Sequence, residues 1–329
     1  MKNLGTSNSL YRITKTNRNL IFWFVLAAVT LSLLTAIHAL PAQPVRLFLP
    51  APFVSSALST SSVHASRQIP GQTYTPTAEE LVAAVVTNEL ADREQLRKWI
   101  CMVEKRVGKE TLTEELVETS DGPLYRLLAI DGAGLNPTQR QQDDARLSHL
   151  LHDPSLLLKL KQAQDDDEIK LQKLLSMMPH AFLYDYDGAE ESLLRIKFRP
   201  DPGYTPPTYE ARVIHSLAGT ILIDSERNRL AKVVGHLLNR VEFGFGLLGR
   251  IDTGSVEFAR VEVGPQQWKT ALINIHFSGR AVLFKTISKD QYERRSDFRL
   301  VPSNLSLSDA MALLVSRVFP TPQTPKTGH

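Results

Sequence analysis

A single cysteine, Cys101, occurs among 329 residues. One thiol excludes an intramolecular disulfide framework and any cysteine-based zinc site. It sits in the run WICMV, where a buried structural thiol is expected. Catalytic signatures are missing as well, for the chain has no G-x-S-x-G, no H-E-x-x-H and no P-loop. Charge of one sign is also scarce. The chain carries 38 Lys and Arg against 35 Asp and Glu, and Lys2, Arg12, Lys15 and Arg18 fall in the first 39 residues, so 38 less 4 leaves near neutrality for the rest. Without a Lys/Arg stripe, nucleic acid is not an expected partner. No catalytic residue, metal or cofactor is assigned, and the chain is expected not to be an enzyme.

The N-terminus is where composition speaks first. Four basic residues precede an uncharged run from Leu20 to Ile37 that contains IFWFVLAAVTLSLL. A basic segment followed by an apolar one is the pattern of an export signal, and Ile37-His38-Ala39 offers a cleavage site. The run is also close to the roughly 20 residues that span a bilayer, so a retained transmembrane anchor is the alternative. Either outcome places the rest of the chain outside the cytoplasm, in the periplasm or anchored to the inner membrane and facing it. Residues 40–76 are rich in Pro, Ser and Thr, contain no Asp or Glu, and read as a flexible linker. Residues 77–319 form the expected folded domain, and 320–329 an expected disordered tail.

Within that domain the pattern alternates between helix and strand. Leu81, Val82, Val85, Val86 and Leu90 stand at helical spacing after a Thr75 or Thr77 cap. From Arg97 to Ile130, three β-patterned runs are separated by Gly108-Lys109 and Ser120-Asp121-Gly122 and end at Asp131-Gly132, an antiparallel meander. The first run, RKWICMVEKRV, alternates poorly, and a helix ending at Val107-Gly108 is its alternative. Asn136-Pro137 opens one helix that stops at Asp153-Pro154, and a longer one is expected from Ser155 to Met178, ended by Pro179. Two strands are expected around an Asp187-Gly188 turn, and RPDPGYTPPTYE is too rich in proline for a central strand.

The strongest alternation lies between Leu217 and Arg299. Ala271, Ile273, Ile275 and Phe277 share one side of a run, opposite Thr270, Asn274, His276 and Ser278, which predicts a sheet with one buried face. Ser278-Gly279-Arg280 reads as the turn of a hairpin. A last helix is expected in LSLSDAMALLVSRVF. The fold class is therefore α+β, a curved antiparallel sheet packed against helices, preceded by a signal or transmembrane segment and a tether.

Several motifs invite sharper readings that their contexts oppose. Gly244-Phe245-Gly246-Leu247-Leu248-Gly249 fits G-x-G-x-x-G, but a strand-like run follows where a dinucleotide site needs a helix. Alternation puts Val241, Phe243, Phe245 and Leu247 on one face and the glycines on the other, where they let a sheet curve or a helix come close. Asp185-Tyr186-Asp187-Gly188 resembles a calcium loop, yet leucines stand at its first and twelfth positions. Asp165-Asp166-Asp167-Glu168 reads as a solvated helix face. His149 and His152 read as surface histidines, and an enzyme would need His215, His236 and His276 to converge on one cleft.

In GTILIDSERNRLAKVVG, FGFGLLGRIDTGSVEF and INIHFSGRAVLFKTISKDQYERRSDFRL the chain resembles the periplasmic lipoprotein-localisation carrier superfamily, through uncharacterised exported bacterial proteins. The resemblance covers Thr77 to Arg299 and implies an open half-barrel closed by helices. It further implies a non-enzymatic carrier or receptor that shelters a lipid or a lipoprotein acyl chain on a concave apolar surface. The residues that would line it are Ile221, Ile223, Phe243, Phe245, Val256, Phe258, Ile273, Ile275, Phe277, Val282 and Phe284. Each of these also fits an ordinary packed core. The alternative is an envelope protein-interaction or sensor module on the same fold, with a filled core and no ligand.

Overall fold

The computed structural model describes residues 76–93, 97–244, 248–281 and 285–316. The expected signal or anchor, the linker up to residue 75 and the C-terminal tail lie outside the described residues. Among those described, no helix is long and apolar enough to cross a membrane.

Helix α1 (Ala78–Arg93) begins at a capping box. The Glu80 N–H donates to Thr77 Oγ1 at 3.2 Å while the Thr77 N–H donates to Glu80 Oε2 at 2.8 Å, so two otherwise orphaned donors are satisfied. Strands β1 (Lys98–Val107), β2 (Glu110–Thr119) and β3 (Gly122–Ile130) follow as the expected meander, closed by a two-residue strand β4 (Ala133–Gly134). The WICMV run is strand, and its alternation is blurred for a physical reason. Ile100 packs beneath a helix on one face and Cys101 and Val103 are covered on the other, so consecutive residues are all apolar.

Helix α2 (Pro137–His152) starts at Asn136, whose side chain accepts from the Gln139 N–H while Gln139 returns the bond, both at 2.9 Å. Helix α3 (Pro154–Ala181) starts one residue later, with Asp153 as its cap. The remaining elements are β5 (Phe182–Glu190), β6 (Leu193–Pro200), α4 (Tyr209–His215), β7 (Leu217–Asp224), β8 (Arg229–Leu237), β9 (Val241–Phe243), β10 (Gly249–Gly264), β11 (Gln267–Ala281), β12 (Lys285–Val301) and α5 (Leu307–Ser316). All twelve strands join one antiparallel sheet in the order β4-β3-β2-β1-β12-β11-β10-β8-β7-β6-β5, with β9 beside β10. β4 and β5 stand at opposite ends, so the sheet is unclosed. The first meander is thus grafted onto the last strand, while α2 and α3 carry the chain back to the far edge.

Helices cover the sheet unequally. α1 and the C-terminal half of α3 pack on one face over β5 to β11, burying Leu81, Val82, Val85, Val86 and Met177 against Ile196, Ile221, Ile223, Val256, Ile273, Ile275 and Phe277. At about 25 cal/mol per Å² of apolar surface, this is the cluster that supplies most of the hydrophobic stabilisation. α5 covers the opposite face of β1 to β3 through Ala310 and Leu314 against Ile100, Val117 and Leu124. α2 guards the β3 side. Its buried Asp143 accepts from the Leu127 N–H at 3.2 Å, and Arg146 bonds Asp143 and the Tyr125 carbonyl, giving partners to strand groups near an otherwise open edge.

Four expectations are corrected by the geometry. Ser278-Gly279-Arg280 is not a turn: β11 runs through it to Ala281, and Gly279 pairs with Ile251 and Ile287. A Cβ at Gly279 would stand 2.1 Å from the Arg250 carbonyl oxygen, so glycine here permits close approach of β10. Asp187-Gly188 is likewise not the hairpin turn, which lies at Glu191 (φ 54°). Asp187 is held inside the hairpin by Lys197 at 2.6 Å and Arg195 at 3.1 Å, and Gly188 sits where the register shifts. Pro179 lies inside the last turn of α3 rather than after it, where Tyr184 Oη donates to the Met178 carbonyl at 2.7 Å. Gly244 ends β9 in a left-handed conformation (φ 56°), so it does not stack along a continuing strand; Phe245, Gly246 and Leu247 lie outside the described residues.

Candidate functional site

The apolar residues expected to line a ligand surface lie together, but as packed interior. Ile221, Ile223, Phe243, Val256, Ile273, Ile275 and Phe277 are all buried in the main cluster, and Phe258 is half-buried against it. Phe245, Val282 and Phe284 lie outside the described residues. α1 and α3 occupy the face that these side chains present.

Open space lies higher on the same face, over β1, β2 and β12. It is a cavity of about 340 Å³. Glu89 and Asp92 of α1 and Gln164 and Glu168 of α3 form one side. Arg97 just before β1, Lys98 and Trp99 at its start, Leu116, Glu118 and Thr119 of β2, and Pro123 and Tyr125 of β3 form another. Arg260 of β10, Gln267, Trp268, Lys269 and Thr270 of β11, and Arg295 of β12 complete it. The lining is predominantly polar. Its size falls within the roughly 300–1,000 Å³ of small-molecule sites.

Four ion pairs hold charged groups lining this cavity, Arg260 with Glu89, Asp92 with Arg229, Lys269 with Glu118 and Arg295 with Glu293. Arg260 meets Glu89 directly, linking β10 to α1, and its NH2 group donates to the Trp268 carbonyl at 2.7 Å. Burial lowers the Arg260 guanidinium to about 10, which still leaves it charged at neutral pH. Asp92 takes a two-pronged bond from Arg229 at 2.7 and 3.0 Å. Lys269 reaches both oxygens of Glu118 at 3.0 and 3.1 Å, and the Trp99 N–H of the backbone donates to the same carboxylate. Burial works against the charge on Arg295, but the groups around it, Glu293 foremost, together more than offset it and lift the guanidinium above its ordinary range. Glu168 accepts from Gln172 at 3.1 Å.

A few polar atoms of these residues, shielded from solvent, have no hydrogen-bond partner among the described residues. The indole N–H of Trp99 and of Trp268, Nε of Arg260 and Oε1 of Glu89 are buried and unbonded. Below them, Cys101 is pushed up to about 12 by burial, which makes it a structural thiol and not a nucleophile. Glu114 is raised by burial too, opposed by Lys105, whose ammonium lies 2.6 Å away and over the Tyr125 ring.

No family model, curated protein or solved structure matches this chain. Nothing in those comparisons links it to the lipoprotein-localisation carrier superfamily.

The other singled-out residues fall elsewhere. Asp165 and Asp166 are exposed as expected, while Glu168 of the same run turns into the cavity. His149 and His152 are exposed on α2. The three strand-associated histidines do not meet: His215 packs beside Phe182 and Tyr204 at the end of α4, whereas His236 and His276 flank Ser255 on the exposed face of the sheet. His276 bonds Asp290 there. Among the described residues, no group of three or more His, Cys, Asp or Glu side chains is placed to hold a metal. The cavity residues were missed because they come from six strands and two helices, but one signal was present. Arg260 continues the inward series Val256, Phe258, and Glu89 continues the buried face of α1, so each sequence puts a charge where its own periodicity calls for an apolar side chain.

Proposed function

We propose that this chain is a non-enzymatic receptor or sensor module of the cell envelope, built on an open half-barrel, that takes a small polar ligand between its helices and its sheet. The observation that carries the reading is the division of the helix-covered face. Its apolar part is filled by α1 and α3, and its open part is a charged, tryptophan-bearing cavity of about 340 Å³. The envelope address rests on the basic and apolar N-terminal segments. A carrier that shelters an acyl chain, as the resemblance implies, would need α1 to leave the groove and expose Leu81, Val82, Val85 and Val86. Each such side chain costs roughly 1.5–3 kcal/mol to return to water.

The test compares the two occupants in the full chain. Organic extracts of the purified protein are analysed by mass spectrometry, and its thermal unfolding is followed against a library of small polar metabolites. A ligand present at 100 times its Kd stabilises by about 2.7 kcal/mol. That corresponds to a rise in Tm of about 5–11 °C for a domain of this size. The rise should vanish in Thr270→Trp, which fills the cavity from β11. A stoichiometric acyl lipid in the extract would overturn the proposal in favour of the carrier, and so would a library that stabilises nothing.

A further inference from the structure

The side chains lining the cavity include five basic and four acidic ones. The acidic ones are all engaged: Glu89 with Arg260, Asp92 with Arg229 and Glu118 with Lys269, while Glu168 accepts from Gln172. On the basic side Arg295 is likewise held, by Glu293. Arg97 and Lys98 are left over. Among the described residues neither cationic head has a hydrogen-bond or ion-pair partner, and both are open to solvent, Arg97 being exposed and Lys98 half-buried.

Those two spare cations set the sign of the guest. With the outside partners Arg229 and Glu293 included, the lining and its partners hold six basic groups against five acidic ones, so the surplus is positive and lies on the β1 side. A cationic guest would have to take a carboxylate from Arg260, Arg229 or Lys269, and stripping a partly buried pair leaves its other member uncompensated. A neutral guest leaves the two cations as they are and draws little from them. An anion displaces only water from Arg97, whose planar fork fits two oxygens of a carboxylate or phosphate at once, and Lys98 adds a point charge beside it. Resting on the receptor reading above, we infer that the cavity binds a small organic anion through Arg97 and Lys98, its acid group a carboxylate or a phosphate. Gln164 and Thr270 of the same lining offer neutral donors and acceptors to the rest of the guest.

The full chain is titrated calorimetrically with glucuronate, citrate and inorganic phosphate, and in parallel with glucose and agmatine as neutral and cationic counterparts. Glucuronate and glucose share a ring and differ at the carboxylate, while phosphate against citrate tells the two acid groups apart. Saturable binding of at least one anion and of neither counterpart is expected, weakening as salt is raised. The anion's Kd should rise about tenfold or more in Arg97→Gln and further in Arg97→Gln/Lys98→Gln, with Arg97→Lys, which keeps the charge and loses the fork, in between. Because neither side chain has a partner to lose, all three variants should keep the circular dichroism and Tm of the parent. An anion that binds the double variant as tightly as the parent overturns the inference. Binding of glucose, agmatine or other uncharged and cationic members of the polar library, but of no anion, also overturns it and leaves the receptor reading standing. A library in which nothing binds overturns both.

Discussion

Replacing Glu89 with leucine removes the carboxylate that faces Arg260 across the contact between α1 and β10. The two side chains are only 6% and 14% exposed, so the guanidinium left behind cannot simply be rehydrated. Breaking a buried pair from one side costs about 3–5 kcal/mol. Arg260 keeps its bond to the Trp268 carbonyl, which favours the lower end of that range. For a domain of this size, about 3 kcal/mol lowers Tm by about 6–12 °C. The double variant Glu89→Leu/Arg260→Met removes both charges and keeps the volume, and it should return to within about 1 kcal/mol of the parent. Urea and thermal unfolding followed by circular dichroism read all three proteins. A Glu89→Leu loss under about 1 kcal/mol, or a double variant no better than the single one, would refute the idea that this pair clamps α1 onto the sheet.

Two further outcomes follow from the same coordinates. Gly279→Ala places a Cβ 2.1 Å from the Arg250 carbonyl, and because that atom belongs to a paired backbone, overpacking of about 1–3 kcal/mol or more should appear as a lower urea midpoint, while Gly134→Ala, with nothing within 4 Å, should be far milder. The Asp187 carboxyl is held below the usual carboxylate range by the hydrogen bond from Lys197 and then by the charges of Lys197 and Arg195. Its contribution is therefore present above the unfolded pKa of about 3.9 and lost as pH falls through the lower folded value, so the Tm difference between the parent and Asp187→Asn should persist at pH 7 and shrink below about pH 4.

How much of this was legible in the sequence depends on the range of the contacts involved. Ile273, Ile275 and Phe277 announced their buried face because a period of two is a local property. Asn136 and Asp153 announced their helices because capping is local too. Gly279 misled because glycine serves both turns and close strand approach, and the atom that decides between them belongs to Arg250, distant in sequence. The seven-residue α4 sits just after a run of prolines that masks it. The cavity was illegible for the same reason as Gly279: it exists only once β1 is brought beside β12, and β10 and β11 beneath α1 and α3. An apolar list drawn from strands therefore found the packed interior and passed over the charged space beside it.

The pairing of β1 with β12 also imposes an order of events on a chain being synthesised. Lys98 pairs with Val301, about 200 residues later, and contacts of such span slow folding because loop closure precedes any reward. At about 5–20 residues per second, the outer side of β1 waits roughly 10–40 seconds for its neighbour. During that interval the β1–β2–β3 meander presents an unpaired strand containing Ile100, Cys101 and Val103, a template for aggregation until β12 arrives.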